Sequence, residues 1–154
     1  MTGTHASAVA RVLIVEDDAV FRGPLRAALA AGGYAVVAVD SAETAESVLD
    51  HEAVDVVLSD LGLPGMDGAA LAARHPRIPF VLMTGLPPDP ASDAALPRSV
   101  MARLMKPFEV PHLFAVLREA VKVAGATRRR WGRDGHRAVN SHEQRGGSAA
   151  NAGI

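Results

Sequence analysis

The sequence predicts an α/β domain, a doubly wound, five-stranded parallel sheet with helices on both faces. Three observations predict it. Five short runs rich in Val, Leu, Ile, Met and Ala read as strands buried on both faces. Segments with helical spacing separate them, and that alternation implies parallel connections. Four of the runs end in a residue fit for phosphoryl chemistry, where an open α/β sheet binds its ligands.

Arg11–Val15 reads as the first strand. Asp18 stands at a helix N-cap position, and Val20, Phe21, Leu25, Ala28 and Leu29 follow at helical spacing. Pro24 should kink that helix or shorten its first turn, and Gly32-Gly33 supplies the stop. Tyr34–Val39 is the second strand. Ser41 caps a helix running to about Asp50, with Ala42, Ala45, Val48 and Leu49 inward. Val54–Ser59 is the third strand. The turn-rich Gly62–Gly68 then leads to a short helix, Ala69–Arg74, and Pro79–Met83 is the fourth strand. Four prolines between Gly85 and Ser99 leave room for one or two helical turns around Ala91–Leu96. Met101–Met105 is the fifth strand and Val110–Val123 the last helix, with Leu113, Val116, Leu117 and Val121 on one side.

The 154 residues fit one domain, residues 11–124, with an N-terminal extension (1–10) and a tail (125–154). The net charge of −1 hides an asymmetry: ten Lys/Arg face fifteen Asp/Glu before residue 125, six Arg face two acids after it. With almost no apolar pattern, the tail is expected to be disordered. Its Arg128–Arg133 cluster could track phosphates, but a solvated tail is the better reading, so nucleic acid is not an expected partner. The absence of cysteine excludes disulfides, thiolate metal sites and cysteine nucleophiles. Neither a secretory signal nor a run of membrane-spanning length is apparent, which points to the cytoplasm. His51, His75 and His112 are expected at the surface, and His136 and His142 are too isolated to argue for a metal.

The strand ends carry the chemistry. Glu16 and Asp17 follow the first strand, Asp60 the third, Thr84 the fourth and Lys106-Pro107 the fifth. Clustered carboxylates repel one another, and a bound hard divalent cation relieves that repulsion. Lys106 and Thr84 suit phosphate oxygens, and the Lys106–Pro107 peptide is a plausible cis bond. Asp18 is better read as an ordinary capping acid.

In this order, and with 43 residues from Asp17 to Asp60 and 22 from Thr84 to Lys106, these residues resemble the receiver domain of bacterial two-component response regulators. The resemblance covers roughly Arg11 to Ala124 and includes the Pro-Gly-Met-Asp-Gly that follows Asp60. It implies a flavodoxin-like (βα)5 fold of strand order 2-1-3-4-5, the order known for receivers. It further implies Mg2+ held by Glu16, Asp17, Asp60 and the main-chain carbonyl of Gly62, with Asp17 a direct ligand. Asp60 matches the phosphoacceptor, Thr84 the switch hydroxyl and Lys106 the family's lysine followed by proline. The implied function is a stand-alone regulator, not a conventional enzyme. It would take a phosphoryl group from a phosphohistidine on a histidine kinase or histidine phosphotransfer protein, and act on an unknown downstream protein. A pseudo-receiver that is never phosphorylated is the alternative. A hydrolase using an aspartyl phosphate is a further one, disfavoured because Gly62 stands where its second acid is commonly found.

Three features depart from the family pattern. The interval from Asp60 to Thr84 is short, which truncates the third helix. The fourth helix is interrupted by prolines. Arg103 stands where many receivers carry an aromatic switch, and a guanidinium is costly to desolvate. Arg103 is therefore expected to face solvent, with phosphorylation perturbing mainly the loops after Asp60 and Thr84.

Overall fold

A computed structural model describes the backbone of residues 9–143 and the side chains of residues 9–130. Most of the expected N-terminal extension, the last eleven residues, and the side chains of His136 and His142 lie outside the described residues. Five strands, β1 (Arg11–Val15), β2 (Ala35–Val39), β3 (Val56–Asp60), β4 (Phe80–Thr84) and β5 (Val100–Met105), pair in parallel in the order β2-β1-β3-β4-β5. The flavodoxin-like order implied by the sequence is the one observed. Helices α1 (Ala19–Ala31), α2 (Ala42–His51), α3 (Gly68–Arg74), α4 (Pro90–Ala94) and α5 (Val110–Glu143) alternate with them.

Strand alternation decides which residues meet which helices. Val12 and Ile14 of β1 point to one face, with Val56, Leu58, Val81, Met83 and Leu104, and pack against Leu25 and Leu29 of α1 and Leu113 and Leu117 of α5. Leu13 and Val15 point to the other, with Val57, Phe80 and Leu82, and meet Ala42 and Ala45 of α2 and Leu71 and Ala72 of α3. A central strand of a parallel sheet must be apolar on both sides, which is why β1, β3 and β4 read as continuous runs.

Caps and stops behave as the sequence requires. The side chains of Asp18, Ser41, Asp67 and Asp89 accept from backbone N–H groups in the first turns of α1 to α4. Gly33, at φ +95°, closes α1, with Tyr34 N–H reaching Leu29 O at 3.1 Å.

Three expectations are corrected. Helix α1 begins at Ala19 and continues through Pro24 to Ala31, so its first turn is not shortened. The residue before a proline normally avoids the helical region because its Cβ meets the proline ring, and here that residue is Gly23, which has none. His75 is not at the surface: its side chain is 16% exposed and its Nε2 lies 3.4 Å from Glu46 Oε1 of α2. Finally, α5 does not stop near Val123 but continues to Glu143, so much of the segment expected to be disordered is helical. No proline follows Pro111, Gly125, Gly132 and Gly135 each weaken a helix by only about 1 kcal/mol, and Arg is a good helix former. Ala124 is buried, and Arg128 Nη2 lies 2.6 Å from Asp55 Oδ1 below the sheet.

Candidate functional site

The C-terminal ends of the strands are tied together before any side chain is considered. Glu16 N–H bonds Val39 O (3.1 Å), Leu61 N–H bonds Met83 O (2.8 Å) and Lys106 N–H bonds Thr84 O (2.7 Å). The ladders thus run one residue past the strands and fix where Glu16, Asp60, Thr84 and Lys106 emerge. The Lys106–Pro107 peptide is cis, as the sequence allows.

One oxygen each from Glu16, Asp17 and Asp60 fall within 4.8 Å of one another. Glu16 is buried, Asp60 half-buried and Asp17 exposed. Lys106 Nζ donates to Glu16 Oε2 at 2.7 Å and to Asp60 Oδ2 at 3.2 Å. Glu16 Oε1 accepts from Asp18 N–H, and its main-chain oxygen accepts from Arg22 Nη1 at 2.8 Å. Gly62 N–H donates to Asp60 Oδ1 at 3.2 Å. The Thr84 side chain is almost fully buried, and its Oγ1 accepts from Leu86 N–H at 3.1 Å. Among the described residues no hydrogen bond joins the Thr84 side chain to Asp60 or Lys106.

Three carboxylates face one ammonium, so the cluster, when ionised, retains a net negative charge that suits a hard divalent cation. Burial pushes the Glu16 carboxyl above its usual range, against the lowering effect of its Lys106 hydrogen bond. For Lys106 burial acts downward, but the Glu16 hydrogen bond and the Asp60 and Glu16 charges outweigh it, and the ammonium is held above its usual value. The ammonium also lies 4.3 Å from the centroid of Phe21, whose ring meets Phe108 edge-on at 5.8 Å. The arrangement can hold a cation beside Asp60 and present a positive charge to an anion approaching it.

Asp18 is the capping acid expected, accepting from Val20 N–H at 2.9 Å. Four other contributors are not among the residues that the sequence singles out for the site. Arg22 braces the Glu16 main chain, Phe21 floors the lysine, Phe108 supports the Phe21 ring, and Gly68 lets α3 approach the end of β3. A Cβ on Gly68 would stand 2.5 Å from the Asp60 carbonyl oxygen. Only Gly68 leaves a trace in sequence, as the last residue of the loop after Asp60. The expectation for Arg103 is overturned: its side chain is only 14% exposed. Three acceptors bind the guanidinium, which offsets the desolvation cost that argued for solvent.

The family model of the response regulator receiver domain matches residues 12–118. The response regulator protein FleR of Pseudomonas aeruginosa is 43% identical over 104 residues, which is 65% of this chain and 22% of that protein. The DNA-binding transcriptional regulator NtrC of Salmonella typhimurium is 32% identical over 71% of this chain and 24% of its own. This chain therefore spans under a quarter of the length of these relatives. Among solved structures, the signal receiver domain of an HD domain-containing protein from Pseudomonas fluorescens superposes with a TM-score of 0.73 at 27% identity, covering 84% of this chain and 99% of that one.

Proposed function

The chain belongs to the response regulator receiver domain family, and from that premise we propose that it accepts a phosphoryl group from a phosphohistidine onto Asp60. The observation that carries this reading is Lys106, which bonds Glu16 and Asp60 at once and so gathers the ends of three strands around one carboxylate. Asp60 Oδ attacks phosphorus in line, the P–N bond breaks, and the histidine leaves with its electron pair. Lys106 offsets charge on the phosphoryl oxygens, and the Thr84 hydroxyl donates to one of them in the product. Glu16, Asp17, Asp60 and the Gly62 carbonyl would hold Mg2+, which when bound supplies charge neutralisation and a template for the donor.

The donor is a histidine kinase or a histidine phosphotransfer protein. The receiver is not a conventional enzyme, since its own aspartate is the acceptor. We take it to act in the cytoplasm through contacts with a downstream protein. Among the described residues no helix is long and apolar enough to cross a membrane.

The test is incubation with a small phosphodonor and Mg2+, followed by intact-mass measurement. A single phosphoryl adduct that disappears in Asp60→Asn is the expected result. No adduct on the wild-type chain would favour a pseudo-receiver, and rapid donor turnover without an adduct a hydrolase.

A further inference from the structure

In β5 alternation sends Leu104 into the core beneath α5 and turns Arg103 to the opposite face. There its guanidinium spans two neighbouring segments. Nη2 donates to the main-chain oxygens of Leu86 (3.2 Å) and Pro87 (3.1 Å) in the loop after β4. Nη1 pairs with the Asp93 carboxylate in α4. Leu86 is gripped from both sides, because its N–H donates to Thr84 Oγ1. A continuous chain of polar contacts therefore runs from Thr84 through Leu86 and Arg103 to Asp93.

Resting on the reading of Asp60 as phosphoacceptor, we propose that Arg103 is a positioning residue that holds Thr84 through Leu86 and transmits its movement to α4 through Asp93. A Thr84 oxygen that accepts the Leu86 N–H keeps the hydroxyl proton free for a phosphoryl oxygen. When Thr84 moves towards a phosphorylated Asp60, Leu86 follows it, and the guanidinium bound to the Leu86 carbonyl carries Asp93 along. Helix α4 is suited to being led in this way. It has five residues, none buried, and is preceded by Pro87 and Pro88, so few apolar contacts anchor it. The coupling is a polar tether at the position where many receivers carry an aromatic switch. A planar fork of five donors can hold three acceptors together, which a lysine ammonium on a flexible stem cannot do in the same geometry.

Amide spectra of the full chain with Mg2+, with and without the phosphoryl mimic beryllofluoride, test this in wild type, Arg103→Ala, Arg103→Lys and Asp93→Ala. In wild type, shifts at Gly62, Leu86 and Ser92 to Ala94 should appear together. In Arg103→Ala the Gly62 shift should persist and the α4 shifts vanish. Leu86 amide exchange in the unliganded protein should also accelerate by roughly tenfold, the factor for one lost hydrogen bond. Arg103→Lys should keep Leu86 exchange fast. Asp93→Ala removes a partly exposed carboxylate and so avoids the risk of unfolding; it should lose the α4 response while Leu86 still shifts. Wild-type α4 shifts in either alanine variant, or a Gly62 shift without α4 shifts in wild type, would overturn the tether alone. No Gly62 shift in any protein would overturn the phosphoacceptor reading, and the tether with it.

Discussion

Replacing Gly68 by alanine should damage stability and phosphoryl uptake together. The added Cβ would lie 2.5 Å from the Asp60 main-chain oxygen, 3.0 Å from Ser59 Oγ and 3.1 Å from Leu82 Cδ2. Non-bonded contacts of this kind prefer about 3.5 Å, so α3 and the end of β3 must part by roughly 1 Å. Neither side yields freely. β3 is central in the sheet, and the Asp60 oxygen already accepts from Ser59 Oγ. On α3, Leu71 and Ala72 are fully buried. Overpacking of a well-filled contact costs about 1–3 kcal/mol. At about 5 °C per kcal/mol for a domain of this size, Tm should fall by roughly 5–15 °C. Asp60 takes part of the displacement, and a misplacement approaching 1 Å slows an oriented reaction by up to about a hundredfold. Calorimetry gives the first number, and the initial phosphorylation rate with a small phosphodonor, measured well below both melting points, gives the second. A Gly68→Ala protein that melts within about 1 °C of wild type and phosphorylates at its rate would show that α3 does not set the position of Asp60.

Asp17→Asn should leave the fold intact and abolish Mg2+-dependent phosphorylation, since Asp17 is exposed and contributes only to the acidic cluster; near-wild-type phosphotransfer would show that the metal assignment is wrong. The raised pKa of Glu16, caused first by burial, means that the metal-free fold retains this proton more readily than the unfolded chain. Ionised Glu16 therefore costs stability above its folded pKa, and that cost fades as pH falls through it towards the ordinary 4.5. Wild type should gain on Glu16→Gln in denaturant titrations taken from neutral pH down to that value, and a constant difference would refute the burial argument. Ending the chain after Arg130 should change neither Tm nor phosphorylation. Arg128→Ala should cost at most about 1 kcal/mol, because the arginine is two-thirds exposed; a larger loss in either protein would mean that the C-terminal part of α5 docks on the body.

Strand positions, strand order and the cap residues are legible in the sequence because each rests on a local rule: apolar runs between turn residues, and a short polar side chain ahead of a helix. The co-location of Glu16, Asp17, Asp60 and Lys106 is legible too, since residues ending parallel strands emerge on one edge. What escapes is decided by tertiary partners. The burial of Arg103 depends on two carbonyls in a proline-rich loop and on Asp93 ten residues earlier, and none of these carries a signature. His75 finds Glu46 across a helix pair. The extent of α5 is hidden because low apolar content and three glycines read as disorder, although no proline interrupts the segment.

The ion pair between Glu16 and Lys106 joins residues 90 apart, at the ends of strands that are not neighbours in the sheet. β3 and β4 lie between them, so the pair reports that all four strands are in register. Contacts of such long range also form slowly. An early fragment lacking β5 would carry the acidic cluster with no ammonium beside Asp60. On the proposed reading such a fragment would hold the nucleophile without the charge that offsets the phosphoryl oxygens, so the last strand completes the site.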